Sequence, residues 1–310
     1  MELLRAIDDL RSVPGPICLA IGVFDGVHMG HQAVIQSAVD TAIGTGEGNA
    51  VVVTFDPHPI RVLRPQDAPR LLTATKHKIE LLERLLGIEY LLVVPFDFSF
   101  SRWPAVRFIE ALTSACEPLK QISVGAEWSF GYERTGDLEL LQTLGERLGF
   151  EVTGVTPVEA DGEVVSSSAI RVAVQAGDFG GAARLLGREY TVLGTVIEGR
   201  KLGRELGFPT ANLTVHNEEF PPLGVYAVRV RIGNREVLGV GNLGHRPTVT
   251  GGEVKRMLEV HLFDLREDLY GMDLEVEFVT FLRAEEKFES LDALKAQIVR
   301  DAAAARKAFE

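Results

Sequence analysis

The chain has 310 residues, 46% of them hydrophobic, and a formal net charge of −12. That length supports two ordinary domains, each with its own core, and the negative balance excludes a broad nucleic-acid or anionic-membrane surface, which needs a sustained positive field. Residues 1–9 mix charges without the basic flank and apolar run of a signal peptide, the apolar runs 17–24 and 90–96 fall short of the ~20 residues that span a bilayer, and Cys18 and Cys116 belong to no disulfide or zinc pattern. A cytoplasmic protein without membrane or nucleic-acid partners is expected.

Residues 17–24 read as a short buried strand, and the run 32–43 carries its apolar residues at helical spacing. Gly22 and Phe24 end the strand, and Asp25, His28, Gly30 and His31 stand between the two, with an Asp25-Gly26 turn. A helix beginning near Gly30 would turn its unpaired N–H groups and positive dipole end toward both imidazoles, the layout of a phosphate site. Residues 50–55 are β-branched and end in Asp56-Pro57-His58-Pro59. Strand, helix and strand make a βαβ unit, which implies a parallel sheet. Asp56 and His58 then fall at its carboxyl edge, near His28 and His31, where open α/β folds bind ligands.

The alternation continues with helix 75–86, strand 90–94, helix 104–112 and strand 121–124. A loop over 125–137, dense in glycine, aromatics and charge, leads into helix 138–148 and strand 151–158. The Asp161-Gly162 turn predicts a hairpin and, with it, one antiparallel strand ending the sheet. Ser166, Ser167 and Ser168 precede a helical run containing Arg171. They read either as N-cap residues or as a second anion site in which hydroxyls, helix N-terminus and Arg171 converge on one phosphate.

The stretch 22–31, the Thr54-Phe55-Asp56-Pro57-His58-Pro59 segment, the 125–137 loop and the 166–171 serine motif, in that order and spacing, resemble the adenylyltransferase half of bacterial bifunctional riboflavin kinase/FAD synthetases. The resemblance implies a Rossmann-like α/β nucleotidyltransferase domain that transfers AMP from ATP to the phosphate of FMN, giving FAD and pyrophosphate. It assigns Gly22, Phe24, Asp25, His28, Gly30, His31, Ser167, Ser168 and Arg171 to ATP and its phosphates. Phe55, Asp56, Glu127, Trp128 and Arg134 it assigns to the flavin. FMN phosphate can attack the α-phosphorus directly, so these groups have only to position two polyanions and neutralise charge, with Mg²⁺. Three positions depart from the family pattern: Glu127 replaces Asp or Asn, Trp128 replaces Phe, and Ser168 replaces Thr. The first two change the size of the flavin-contacting loop; the third keeps its hydroxyl.

Short helices over 172–176 and 179–186 close the first half. Beyond them the pattern turns β-rich, which puts a domain boundary at Leu186 and gives domains 1–186 and 187–310. Strands over 190–198, 225–232, 235–242, 255–263 and 274–282 with no helices between them predict an antiparallel barrel. A final helix, 291–307, carries Leu291, Leu294 and Ile298 as a stripe that covers the barrel.

Chemistry in this half concentrates in 199–212. Gly199, Gly203 and Gly207 recur every fourth residue among Arg200, Lys201 and Arg204, and Thr210 and Asn212 follow with oxygens suited to Mg²⁺. The spacing is not that of a Walker A loop. It is read either as a phosphate loop or as a glycine-rich hairpin with a solvated basic tip. Glu259 by itself is a strand carboxylate. Yet 203–212, 241–248, 259–264, 268–271, Leu282-Arg283 and Lys287-Phe288 resemble the riboflavin kinase half of the same family. That implies a six-stranded antiparallel barrel phosphorylating the ribityl 5′-hydroxyl of riboflavin with MgATP. Gly203, Gly207, Thr210 and Asn212 would hold ATP and Mg²⁺, Glu259 would be the general base, and Arg283 would contact flavin or nucleotide. The expected partners are ATP, riboflavin, FMN and FAD, in a monomer or weak homo-oligomer. The rival readings are a riboflavin kinase with an impaired or altered first domain, and a non-catalytic flavin-binding regulator.

Overall fold

A computed structural model describes residues 1–199, 203, 206–246 and 255–310. Arg200, Lys201, Arg204 and Pro247-Thr248 of the sequence motifs lie outside the described residues. Two compact units are present, one formed by Met1–Arg70 with Lys78–Ser167 and the other by Leu71–His77 with Ser168–Glu310.

The first unit contains β1 (Glu2–Leu4), β2 (Ile17–Ile21), α1 (Met29–Gly44), β3 (Asn49–Asp56), α2 (Pro59–Leu63), most of α3 (Thr75–Leu86), β4 (Tyr90–Pro95), α4 (Ala105–Ala115), β5 (Leu119–Gly125), α5 (Leu138–Leu148) and β6 (Glu151–Val155). The sheet order is β1-β4-β3-β2-β5-β6, and every pairing is parallel. Successive strand residues point to opposite faces. Ile17, Leu19 and Ile21 therefore join the core formed with Phe108, Ile109 and Leu112, while Cys18 and Ala20 join Ile35, Ala38, Leu81 and Leu82 on the other side. Burial on both faces is why β2 is apolar at every position. The thiols of Cys18 and Cys116 are both buried and not disulfide-bonded.

After β2 the chain builds outward through β3 and β4, then returns to add β5 on the other side of β2. The strand order reverses at β2, and such a switch point opens a crevice at the carboxyl ends of the strands.

Helix α1 starts at Met29 with His28 as its N-cap, next to the expected Gly30. Two expectations change here. β2 stops at Ile21 rather than at residue 24, because Phe24 and Val27 adopt positive φ values of 52° and 46° that no strand accommodates. The Asp161-Gly162 turn does make a hairpin, β7 (Glu159–Ala160) with β8 (Glu163–Val164), but it is a separate two-stranded sheet, so no antiparallel strand ends the main one. Two residues a side are too few to extend a sheet whose edge strand β6 has already ended.

The second unit opens with α6 (Ser167–Ala176), nearly all of which belongs to it, and α7 (Phe179–Leu186), followed by β9 (Thr191–Ile197), β10 (Ala211–Val215), β11 (Gly224–Ile232), β12 (Arg235–Arg246), β13 (Lys255–Leu262), β14 (Asp273–Arg283) and α8 (Leu291–Lys307). The six strands close an antiparallel barrel in the order β10-β13-β12-β11-β14-β9. Five had been legible as strands; β10 was hidden inside the glycine-rich motif. Leu71–His77 is stitched into this unit: Glu218 and Glu219 donate their N–H groups to the Leu71 carbonyl at 3.0 Å, and Asn217 Nδ2 donates to the Leu72 carbonyl. Helix α8 buries Asp301 and Ala305 and joins Val225, Ala227 and Val240 of the barrel. Leu291, expected in the covering stripe, is 58% exposed, while Leu294 and Ile298 border a cavity together with barrel residues.

Candidate functional sites

The loop leaving β2 carries the first candidate site. His28 caps α1 by accepting the His31 N–H at its Nδ1 (3.2 Å), so one of the helix's orphan donors is already used. Gly30 leaves room for this: a Cβ there would lie 3.2 Å from the His28 ring. The rings of His28 and His31 stack at 3.5 Å between centroids and 18° between planes. Phe24, 1% exposed, meets His31 edge-on at 5.3 Å, so it buttresses the imidazole instead of offering ATP a surface.

Burial, the neighbouring His28 and the nearby Lys78 together hold the His31 pKa well below its ordinary 6.5, so the ring is neutral. Its Nδ1 is buried and has no hydrogen-bond partner among the described residues. An orphan buried nitrogen in a crevice at a switch point is a place for a ligand atom. Neutral imidazoles can bind phosphate oxygens as donors without having to be charged first.

The loop's carbonyls are tied from behind. Ser167 Oγ donates to the Asp25 carbonyl at 2.9 Å and Gln32 Nε2 to that of Val27 at 2.8 Å. The Val23 carbonyl accepts from Thr54 Oγ1 at 2.9 Å and from Lys78 Nζ at 2.6 Å. Gly22 donates its N–H to Val53, and Asp25 is 4% exposed. Ser167 thus uses its hydroxyl proton on the loop. Ser168 and Arg171 lie on α6 in the second unit.

Beside this loop, Phe55, Phe96, Phe100, Trp103, Trp128 and Phe130 line a cavity of about 510 Å³ that also takes in His58, Glu127 and Arg134. Trp128 stacks on Phe130 at 4.4 Å and 12°. The cavity matches the apolar, planar bulk of a flavin ring, with polar groups only at its rim. Glu127 and Arg134 are exposed there, and Arg134 Nη2 donates to Ser129 Oγ at 3.1 Å. Asp56 does not line the cavity; its carboxylate acts on Lys78 instead.

The second site lies on the barrel. Strand β13 runs between β10 and β12, and Glu259 pairs with Asn212 on one side and Asn242 on the other. Directly opposed residues share a face of the sheet, so Asn212, Glu259 and Asn242 form one polar row. Glu259 and Asn242 line a cavity of about 270 Å³ with Gly203, Phe208, Thr210 and Arg283. Thr210 also borders a second cavity of about 510 Å³, bounded by Val196, Arg266 and Tyr270. A carboxylate cavity and a second cavity that meet at one threonine suit a transfer between two substrates.

Gly203 is required by contact: a Cβ would lie 2.4 Å from the Phe208 carbonyl oxygen. Gly207 takes a turn at φ +90°. The Thr210 hydroxyl and the Asn212 amide are neutral, hard oxygen donors. No group of three or more His, Cys, Asp or Glu side chains is placed to hold a metal among the described residues. This donor set fits Mg²⁺ that shares its coordination with nucleotide phosphates and water, not an all-protein cage. Arg283 differs from expectation: its Nε and Nη2 are taken by Asp301 on α8, at 2.9 and 2.7 Å, and its Nη1 donates to the Ala284 carbonyl. It borders the cavity as part of the wall.

Sequence reasoning missed Lys78, Asn242 and Asp301. Asn242 could have been found once β12 and β13 were paired around Glu259. The other two are visible only through their buried partners.

Residues 11–169 match the family model described as FAD synthetase, and residues 186–309 match the one described as riboflavin kinase. Proteins named bifunctional riboflavin kinase/FMN adenylyltransferase are 39% identical to this chain in Escherichia coli K12, over 100% of this chain and 98% of the relative. The identity is again 39% in Haemophilus influenzae, over 100% and 99%, and in Pseudomonas fluorescens, over 99% and 97%. A crystal structure described as a macrolide-efflux protein from Streptococcus pneumoniae superposes with a TM-score of 0.81 over 98% of both chains at 29% identity. Among the described residues here no helix is long and apolar enough to cross a membrane. Matches to both halves, and relatives that align from end to end, establish that this chain belongs to the bifunctional riboflavin kinase/FAD synthetase family.

Proposed function

We propose that the barrel site makes FMN from riboflavin and the β2–α1 site makes FAD from that FMN, the first in domain 187–310 and the second in domain 1–186. The chain is a riboflavin kinase and an FMN adenylyltransferase, each activity consuming ATP. The observation that carries the division of labour is chemical. The barrel row presents a carboxylate between two amides, and the other site presents two stacked imidazoles.

Phosphorylating a hydroxyl requires a proton acceptor. Glu259 takes the ribityl 5′-OH proton as that oxygen bonds to the γ-phosphorus and ADP departs. Thr210 and Asn212 hold the phosphate end, and Asn242 keeps the carboxylate company on its other side. Thr210 and Asn212 would also hold Mg²⁺ bound with ATP, which would supply charge screening for the phosphates and the transferred group.

Adenylylation of FMN requires no base, because the attacking oxygen belongs to a phosphate already ionised at neutral pH. An FMN phosphate oxygen bonds to the α-phosphorus of ATP, the bond to the β-phosphate oxygen breaks, and pyrophosphate leaves. His28 and His31 donate to phosphate oxygens, with Ser167 tying the loop. The flavin ring lies in the aromatic cavity against Trp128. The chain works in the cytoplasm as a monomer or weak homo-oligomer, without nucleic acid.

Purified protein incubated with MgATP and riboflavin or FMN, resolved by chromatography, tests this. Riboflavin is expected to give FMN and then FAD; FMN without FAD overturns the bifunctional reading. Glu259→Gln is expected to lower FMN formation by about 10²–10⁴-fold while FAD formation from added FMN continues.

A further inference from the structure

We infer that Lys78 is a positioning residue of the adenylyltransferase site: its buried ammonium holds the strained loop after β2 through the Val23 carbonyl and keeps the His28–His31 pair in its stacked arrangement. The inference rests on the placement of that reaction at His28 and His31.

Lys78 is 4% exposed. Its Nζ donates to the Val23 carbonyl at 2.6 Å and lies 3.3 Å from Thr54 Oγ1. A buried lysine is costly unless paired, and this one is placed among specific groups: the Asp25 carboxylate from the loop after β2 and the Asp56 carboxylate from the end of β3 face it with opposite charge, and His31 from the first turn of α1 faces it beside His28. Desolvation nonetheless brings its pKa down to about 8. The surroundings are thus built to keep an ammonium where a neutral side chain would be cheaper.

The loop explains the need. Phe24 and Val27 both adopt left-handed backbone angles. Each such residue without glycine's freedom costs on the order of 1–3 kcal/mol and persists only when its surroundings over-determine it. Lys78 and Thr54 clamp the carbonyl immediately before Phe24. Without that clamp the loop can relax toward ordinary angles, moving the His28 cap and the stack that rests on it.

The second contribution is electrostatic. Two stacked imidazoles at 3.5 Å cannot both charge cheaply, and a cation beside them disfavours even the first proton. His31 then meets ATP as the neutral imidazole that its burial and its neighbours favour.

The test uses the full chain. Lys78→Met is expected to lower kcat for FMN adenylylation by roughly 10- to 100-fold, to leave riboflavin phosphorylation unchanged, and to raise the pKa of His31 read by NMR of ¹³C-labelled histidine. Lys78→Arg, which keeps the charge, is expected to recover part of kcat and to return His31 toward its wild-type titration. Thr54→Val removes the other donor to the Val23 carbonyl and covers the case in which Lys78→Met does not fold. It is expected to lower kcat several-fold without moving the His31 titration.

Wild-type kcat in Lys78→Met, an unmoved His31 titration in that variant, or wild-type kcat in Thr54→Val overturns the inference. His31→Ala separates it from its premise. FAD synthesis surviving that change overturns the site assignment, whereas an inactive His31→Ala beside a fully active Lys78→Met overturns the role of Lys78 alone.

Discussion

Asp301, in the last turns of α8, receives the Nε and Nη2 groups of Arg283, the final residue of β14, at 2.9 and 2.7 Å. The two side chains are only 9% and 19% exposed, and Gln297 donates to the same carboxylate at 2.8 Å. This fork-to-fork pair fastens the C-terminal helix to the barrel wall beside Glu259's cavity. The Asp301 carboxylate accordingly holds the Arg283 pKa above its already high ordinary value.

Asp301→Ala leaves Arg283 without its partner in a mostly dry place. The expected cost is about 2–3 kcal/mol, below that of severing a fully buried pair because Arg283 retains some contact with water. Urea unfolding followed by a probe in the second unit measures it. The kinase KM for riboflavin is expected to rise as the wall loosens, while adenylylation of supplied FMN stays unchanged.

His28 has two jobs, and substitutions can separate them. His28→Ala removes both imidazole and cap, costing about 1 kcal/mol of stability and abolishing FAD formation. His28→Asn restores the cap, since asparagine is a strong N-cap residue, but not the stacked ring. Its melting temperature is expected to return toward wild type with FAD formation still absent. FMN formation from riboflavin is the internal control in both variants.

Trp128 lies flat on Phe130 in the aromatic cavity. Trp128→Ala removes one wall of the proposed flavin slot, and a roughly tenfold rise in KM for FMN is expected from lost stacking and burial. Trp128→Phe is expected to stay close to wild type, because a smaller ring can keep the stack. Glu127→Gln, a change at the exposed rim, is expected to alter FMN affinity less than twofold. Steady-state titration with FMN at saturating ATP measures all three.

The stability of the first unit is expected to depend on acid through His31. In the unfolded chain this ring protonates near 6.5; in the folded chain burial, His28 and Lys78 push its pKa well below that. The unfolded state therefore binds a proton that the folded state refuses. The contribution is fully present above about 6.5 and is lost as the pH falls from there toward the folded value, by at most about 1.4 kcal/mol per pH unit. His31→Asn is expected to flatten this slope in urea unfolding between neutral and mildly acidic pH.

Much of this molecule was legible in the residue order. The helices Thr75–Leu86, Leu138–Leu148 and Leu291–Lys307 follow from apolar spacing alone, because an amphipathic helix has to put its apolar residues on one face. The central strands β2, β3 and β4 follow from continuous apolar runs, whereas β1, only three residues long, was not read as a strand. The histidines after β2 and the Thr210–Asn212 segment were visible as motifs, since phosphate chemistry restricts which side chains and spacings can serve it.

Contacts between segments distant in sequence were not legible. Nothing local distinguishes Lys78 from a solvated lysine until β2 and β3 bring Val23, Thr54, Asp25 and Asp56 around it. Arg283 reads as a ligand contact until Asp301, 18 residues away, takes its guanidinium. The sequence by itself determined most of the order of elements, because periodicity is a local property, and it carried the motifs whose resemblance to a known family implies the two chemistries. The tertiary structure alone decided which of those groups stay available to a substrate and which are spent holding the others in place, because hydrogen-bond partners and burial are set by strand pairing and packing across the whole chain.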